Sequence, residues 1–270
     1  MQMMRSLFNF FKKILQNRYM IRSLVVRDIR SRYTGSFLGV FWAIVHPLTQ
    51  LLIFYFVFSV VLRARLGAEY ADTNYAVWLM SGMLPWIFFS EVVTRSPSAV
   101  LEQASLITKT VFPSEILPFA HMTAALVNHG IVFVILSGFL LVLGYGIPLN
   151  ILWLPVYLLG VMLFALGLAW ILSALNVFLR DIGQILGVVL NLWFFFTPIL
   201  YPAYMVPESF KSWLAINPML YPVEGYRMAL LGRIEPDFSG LVILFTWGIG
   251  AFMVGGLIFK KLKPAFADVL

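Results

Sequence analysis

From Arg27 to Gln50 the chain reads RDIRSRYTGSFLGVFWAIVHPLTQ. Arg27, Asp28, Arg30 and Arg32 put four charges within six residues, and then no Lys, Arg, Asp or Glu occurs from Phe37 to Leu62. A boundary of this kind marks where a chain leaves water for hydrocarbon, since a spanning helix needs about 20 mostly apolar residues. Composition extends the point to the whole chain. Of 270 residues, 61% are hydrophobic and 11% charged, whereas a soluble domain has about 25% charged residues. The expected fold class is all-α, a polytopic membrane protein with no separate soluble domain.

Working outward from that first span, near 37–62, the apolar runs predict five more, near 75–94, 116–143, 151–179, 182–200 and 238–259. Residues 116–179 carry no charge at all, but the turn formers GYGIPLN, Gly144–Asn150, divide them into two helices. Glu91, the one charge in the second span, precedes Arg95 by four residues, which predicts an i,i+4 pair at the membrane edge. The chain thus divides into a cytoplasmic amphipathic interface segment, 1–36, and a six-helix membrane domain, 37–270.

Charge sets the orientation. Fourteen of the 19 Lys and Arg fall on the side of the two termini, and the acidic residues show no such bias. Both termini are therefore expected in the cytoplasm, and the net charge of +7 reads as topology rather than nucleic-acid binding. The first long apolar run begins near residue 37 with the length of a span, so no cleavable signal peptide is expected. Zero cysteines exclude disulfides and thiol catalysis.

Three segments lie outside the spans. In residues 5–33, Leu7, Phe8, Phe11, Ile14 and Leu15 recur at helical spacing among Lys12, Lys13, Arg18 and Arg22. That pattern suits a basic helix lying on an anionic leaflet or against a cytoplasmic partner. In Arg95–Pro118, Ser96 and Pro97 have the chemistry of a helix start, and Val100, Leu101, Ala104 and Ile107 form an apolar face opposite Glu102 and Gln103. In Tyr201–Asp237, two apolar pieces near 209–216 and 222–231 are separated by Asn217–Pro218. Both are too short to span and are expected to be re-entrant or interfacial, either as a gate or pore mouth or as a passive interfacial loop.

No GxxxxGK[ST] phosphate loop is present, so ATP is not bound by that route. His46 precedes Pro47 in the first span and is expected to bond a carbonyl freed by the proline kink. His121 and His129 share one helix face, but two histidines alone make a poor metal site, and none is expected. No nucleophile–base or paired-carboxylate arrangement is specific enough to suggest an enzyme. Elimination leaves a membrane subunit driven by something else.

At RDIRSRYTGSFLGVFWAIVHPL the sequence resembles the permease subunits of type-2 ABC exporters for cell-surface polysaccharides, the O-antigen, capsule and teichoic-acid exporters. LITKTVFPSEILP, NVFLRDIGQILGVVLNLWFFFTPILYP, INPM and the final FKKLKPAFADVL follow in order over nearly the whole chain. The resemblance implies a pore formed by two copies in a bacterial inner membrane, driven by two copies of a separate ATPase that carries ATP and Mg, and threading a lipid-linked glycan outward. It implies that Arg27, Asp28, Arg30, Arg32, Tyr33, Glu102, Lys109, Arg180 and Asp181 lie at the ATPase interface. It also implies an aromatic substrate channel including Trp193, Phe194, Phe195, Phe196, Tyr201 and Tyr204. This chain itself is expected to bind no cofactor. The alternative cargo is lipid or small hydrophobic compounds, and the reading from a different class is a membrane-embedded glycan- or lipid-modifying enzyme.

Overall fold

The structure is a computed structural model and describes residues 14, 16–32, 34–67, 70, 72–110, 112–232 and 236–270. Among the described residues every regular element is helical. The elements are α1 (Arg18–Ser31), α2 (Trp42–Phe54), α3 (Tyr75–Arg95), α4 (Ser98–Leu101), α5 (Ala104–Lys109), α6 (Ile116–Val142), α7 (Leu154–Asn176), α8 (Ile182–Phe196), α9 (Glu208–Ile216), α10 (Leu220–Leu231), α11 (Phe238–Leu262) and α12 (Phe266–Val269). Among the described residues, five apolar helices are long enough to cross a membrane: α2 with its π-helical extension Tyr55–Val61, α3, α6, α7 with the 3-10 turn before it, and α11 with the short elements after it. α8 is apolar but has only 15 residues.

α3 is the hub. Some 78% of its most apolar stretch is buried inside the protein, against 6% for α2, and it packs on α6, α7, α8 and α10. α7 and α11 lie side by side and run parallel: Gly160 and Gly167 meet Leu244 and Ala251, while Gly248 and Gly255 meet the carbonyls of Gly160 and Gly167. A Cβ on Gly167 would fall 2.2 Å from the Ala251 carbonyl carbon, so only glycine permits this approach. Small residues are how helices associate in hydrocarbon, where apolar burial supplies little drive.

The helix boundaries follow local chemistry. α1 packs Ile21 and Val25 against Ile116, Ala120 and Ala124 of α6; the earlier residues of the predicted interface helix, among them Leu7, Phe8, Phe11, Lys12, Lys13 and Leu15, lie outside the described residues. α10 starts two residues before Pro222 and stops at Gly232, whose φ of +66° ends it in the left-handed conformation glycine favours. The start predicted at Ser96 is corrected. α3 runs through Arg95 with Ser96 still helical, and the Ser96 hydroxyl donates back to the Val92 carbonyl instead of capping a new helix. Pro97 then precedes α4, and Gln103, expected on the polar face, is buried between α4 and α5. His46 is exposed, its ring 5.2 Å from that of Trp42.

Candidate functional site

The charged segment before the first span folds as part of α1, and the helix sorts its charges. Arg27 and Arg30 are exposed, whereas Asp28 and Arg32, four residues apart on the opposite side, turn onto α3. Asp28 accepts from both Arg95 terminal nitrogens, Nη1 at 2.9 Å, and from Arg32 Nη2 at 3.0 Å. Arg32 donates through Nη1 to Glu91, whose second oxygen accepts from Asn128 of α6 at 2.7 Å. The expected Glu91–Arg95 pair is therefore replaced. Each residue takes its partner from the charged segment of α1 and its C-terminal end.

Two carboxylates and two guanidiniums make this cluster neutral, and its side chains are only 9–29% exposed. Burial alone would raise the Asp28 carboxyl, but the hydrogen bonds and charges of Arg95 and Arg32 outweigh it and hold the group below the usual carboxylate range. Burial would likewise lower the Arg32 guanidinium, and Glu91 and Asp28 together more than offset it. The forked Arg–carboxylate geometry fixes direction as well as distance.

The same end of the molecule gathers the other predicted contact residues. Glu102 and Lys109 are exposed on the α4–α5 segment, and Arg180 and Asp181 are exposed on the turn between α7 and α8. Asn176 donates to the Pro97 carbonyl, Lys263 pairs with Glu115, and Phe266 of α12 meets Phe178 and Phe259. Segments from four parts of the chain thus form one face. Tyr33, also expected there, lies outside the described residues.

At the opposite end the decisive residue is Arg227, which the charge count treats only as one of the five basic residues off the side of the termini. Its side chain is fully buried. It donates to the carbonyls of Pro198 and Ile199 at 2.8 Å each and to Glu224 at 2.7 Å, while its guanidinium carbon sits 3.5 Å above the Trp78 ring. Tyr75 donates to the Leu200 carbonyl. α10 and α3 thereby satisfy the carbonyls of the non-helical stretch after α8, as buried backbone requires. The signal was available: an arginine inside YPVEGYRMALL, with apolar residues on either side, has nowhere to put its charge except a prepared site.

INPM has an equally local purpose. Asn217 accepts from Trp193 Nε1 at 2.9 Å and from the Met219 amide at 3.0 Å, and donates to Thr197 at 2.9 Å. One side chain ties the α9–α10 break to the end of α8. The aromatic set divides accordingly. Trp193 and Phe194 pack inward on Trp86, and Trp193 also on Phe89 and Phe164. Phe195 and Phe196 are exposed. Tyr201 donates to the Phe195 carbonyl, and Tyr204 accepts from the Gly67 amide at 2.9 Å while half of its surface stays open. Elsewhere, His129 meets the Tyr226 hydroxyl in the core and His121 approaches Glu102 at 3.8 Å. They do not converge on one another, and no metal-binding group forms among the described residues.

A bundle of membrane-crossing helices, with a charged helix bound at one end and short helices closing the other, has the parts of a membrane transport domain. Residues 19–231 match the ABC-2 type transporter family, and the chain belongs to that family. It is 34% identical to the O-antigen export system permease protein RfbA of Myxococcus xanthus, over 95% of this chain and 97% of that protein. It is 32% identical to RfbA of Klebsiella pneumoniae over 93% and 96%. It is 24% identical to the polysialic acid transport protein KpsM of Escherichia coli over 91% and 94%.

Proposed function

We propose that this chain is the membrane permease of an ATP-driven exporter that carries lipid-linked polysaccharide out across a bacterial inner membrane. The observation that carries the reading is similarity over nearly the full length to permeases that export O-antigen. The chain supplies the path and not the energy. ATP and Mg belong to a separate ATPase, two copies of which dock on the face formed by Arg27, Arg30, Glu102, Lys109, Arg180 and Asp181, with Asp28 and Arg32 one layer behind it.

Six crossings with both termini in the cytoplasm fit the parallel run of α7 and α11. For two consecutive long helices to point the same way, the chain between them must recross, and α8 together with residues 197–200 does so. Residues 1–36 then form the interface segment and 37–270 the membrane domain. Two copies form the pore. The support is the open side of α8, where Gln184 and Asn191 are exposed; facing lipid, such amides would be left without partners. Phe195, Phe196, Tyr201 and Tyr204 offer ring faces to a moving glycan near the mouth, with Trp193 and Phe194 stiffening the wall behind them.

The test is deletion of the gene followed by fractionation of lipid-linked and surface glycan. Finished polymer retained on the inner side with a bare surface supports the reading. Normal surface polysaccharide, in a strain with no second exporter, rejects it in favour of lipid or small hydrophobic cargo.

A further inference from the structure

The two polar clusters described above sit at the two ends of one helix. α3 begins at Tyr75, next to Trp78 and Gly82, which hold Arg227, and it ends at Glu91 and Arg95, which hold α1. We propose that α3 is the element that carries motion from the ATPase-facing end to the opposite mouth, with Asp28–Arg95 and Arg32–Glu91 as its input joint and Arg227 as its output joint. This rests on the exporter reading above.

Geometry supplies the argument. The helix is sheathed by α6, α7, α8 and α10, and Val77, Leu79, Leu84, Phe88 and Val92 are all at most 1% exposed. A helix so enclosed moves with its neighbours or along its own axis, since packed interiors resist bending. At the input, α1 has two sides. Arg27 and Arg30 face outward, and Asp28 and Arg32 grip α3 through directional, charge-assisted bonds. A force applied to the outward side therefore reaches α3 without passing through a flexible loop. α3 is also joined to the α4–α5 segment through only the two turn residues Ser96 and Pro97, so both parts of the docking face converge on it.

At the output, the Arg227 guanidinium lies directly against Gly82, where a Cβ would fall 2.8 Å from two of its nitrogens. Arg227 simultaneously holds the carbonyls of residues 198 and 199. A shift of α3 must then drag the end of α8 and α10 together. Gly82 is the residue that permits so close a grip, and the alternative of a longer, water-filled contact is closed by the complete burial of Arg227.

The experiment uses the permease with its ATPase in liposomes and a spin label on Phe196→Cys, an exposed position in a chain with no natural cysteine. The parent complex should show a change at the label when Mg and ATP are added. Arg32→Gln combined with Glu91→Gln, which removes the pair without leaving a lone charge, should keep ATPase capture and hydrolysis within about twofold while the label response falls about tenfold, the scale of a typical coupling between sites. Gly82→Ala should give the same pattern from the other end. Arg27→Glu with Arg30→Glu should instead lose ATPase capture.

An undiminished label response in either the joint or the Gly82 variant overturns the proposal. So does loss of ATPase capture in the Arg32/Glu91 variant as severe as in the Arg27/Arg30 variant. If the paired glutamines do not fold, Asp28→Asn, nearly isosteric, is read against the same criteria. Failure of the unaltered complex to capture any ATPase would reject the exporter reading itself, whereas a responding parent with responding variants rejects only the joint.

Discussion

The seam between α7 and α11 and the open sides of α2 and α8 are made of much the same apolar residues, yet they are used in opposite ways. In the seam, glycines at 160, 167, 248 and 255 bring two backbones together until carbonyl oxygens touch the facing helix. On α8, Gly183 and Gly187 have nothing within 4 Å of where a Cβ would stand. Only Ile182, Leu186, Leu190, Trp193 and Phe194 turn that helix toward the rest of the protein, and α2 is barely covered at all. One pair is a closed structural weld. The other two helices present unfinished surfaces, with Gln184, Asn191 and His46 among their exposed residues. Hydropathy cannot separate the two uses, because both must be apolar to sit in a bilayer; close contact separates them.

The comparison can be broken, and the largest effect is expected at the other closed contact, where α3 and α10 hold the stretch after α8. Arg227→Leu removes the donors of two buried carbonyls, and the loss should be about 4 kcal/mol, on the scale of breaking a buried polar pair. Thermal unfolding in detergent reads it, and Arg227→Lys, which keeps the charge but loses the fork, should recover part of it. Next comes Gly167→Leu, which drives a side chain into the Ala251 backbone and should cost about 3 kcal/mol as overpacking. Gly187→Leu on α8 is the paired control and should leave the melting temperature of the single chain unchanged; equal effects would erase the distinction between weld and open face.

A smaller effect tests the open side directly. Asn191→Leu should leave unfolding of the chain within about 0.5 kcal/mol, as for a surface change away from any packed feature. It should alter the yield of cross-linked pairs through α8, which sizing after cross-linking measures. An unaltered pair yield would move the copy-to-copy contact away from α8.

The smallest effect concerns pH. Because the arginines depress the Asp28 carboxyl below its ordinary value of 3.8, the unfolded state binds the proton more readily than the folded one. The stability that Asp28 contributes is therefore complete above pH 3.8 and is lost as pH falls below it. Proteolytic release of α1 should rise in that acid range, and in Asp28→Asn the acid dependence from this site should be absent.

How much of this was legible beforehand depends on how far apart the interacting residues stand. Helix limits fall within about three residues of the expected apolar runs, with three exceptions: α2 begins only at Trp42 and reaches Val61 through its π-helical extension, α8 stops at Phe196, where residues 197–200 leave the helix, and the ends of α7 shade into 3-10 and turn geometry. Avoidance of hydrocarbon by charge is a property of each residue and sums along the chain, so run lengths suffice to place the helices. The Asn217–Pro218 break was readable for a similar reason, since turn chemistry is local. The charge partners were not. Glu91 takes Arg32, 59 residues away, in place of Arg95 one helical turn off, and Arg95 takes Asp28, 67 away.

Composition and spacing alone therefore establish an all-α membrane chain, its helices and the two short pieces between α8 and α11. Motifs in order along the chain point to its family. Tertiary packing assigns the inward and outward halves of α1, the parallel weld of α7 and α11, and the placement of Arg227 against Trp78 across 149 residues. The reason is physical. Leaving water costs each side chain an amount fixed by its own chemistry, whereas an ion pair or a backbone contact exists only once two distant helices have been set at one distance and one angle.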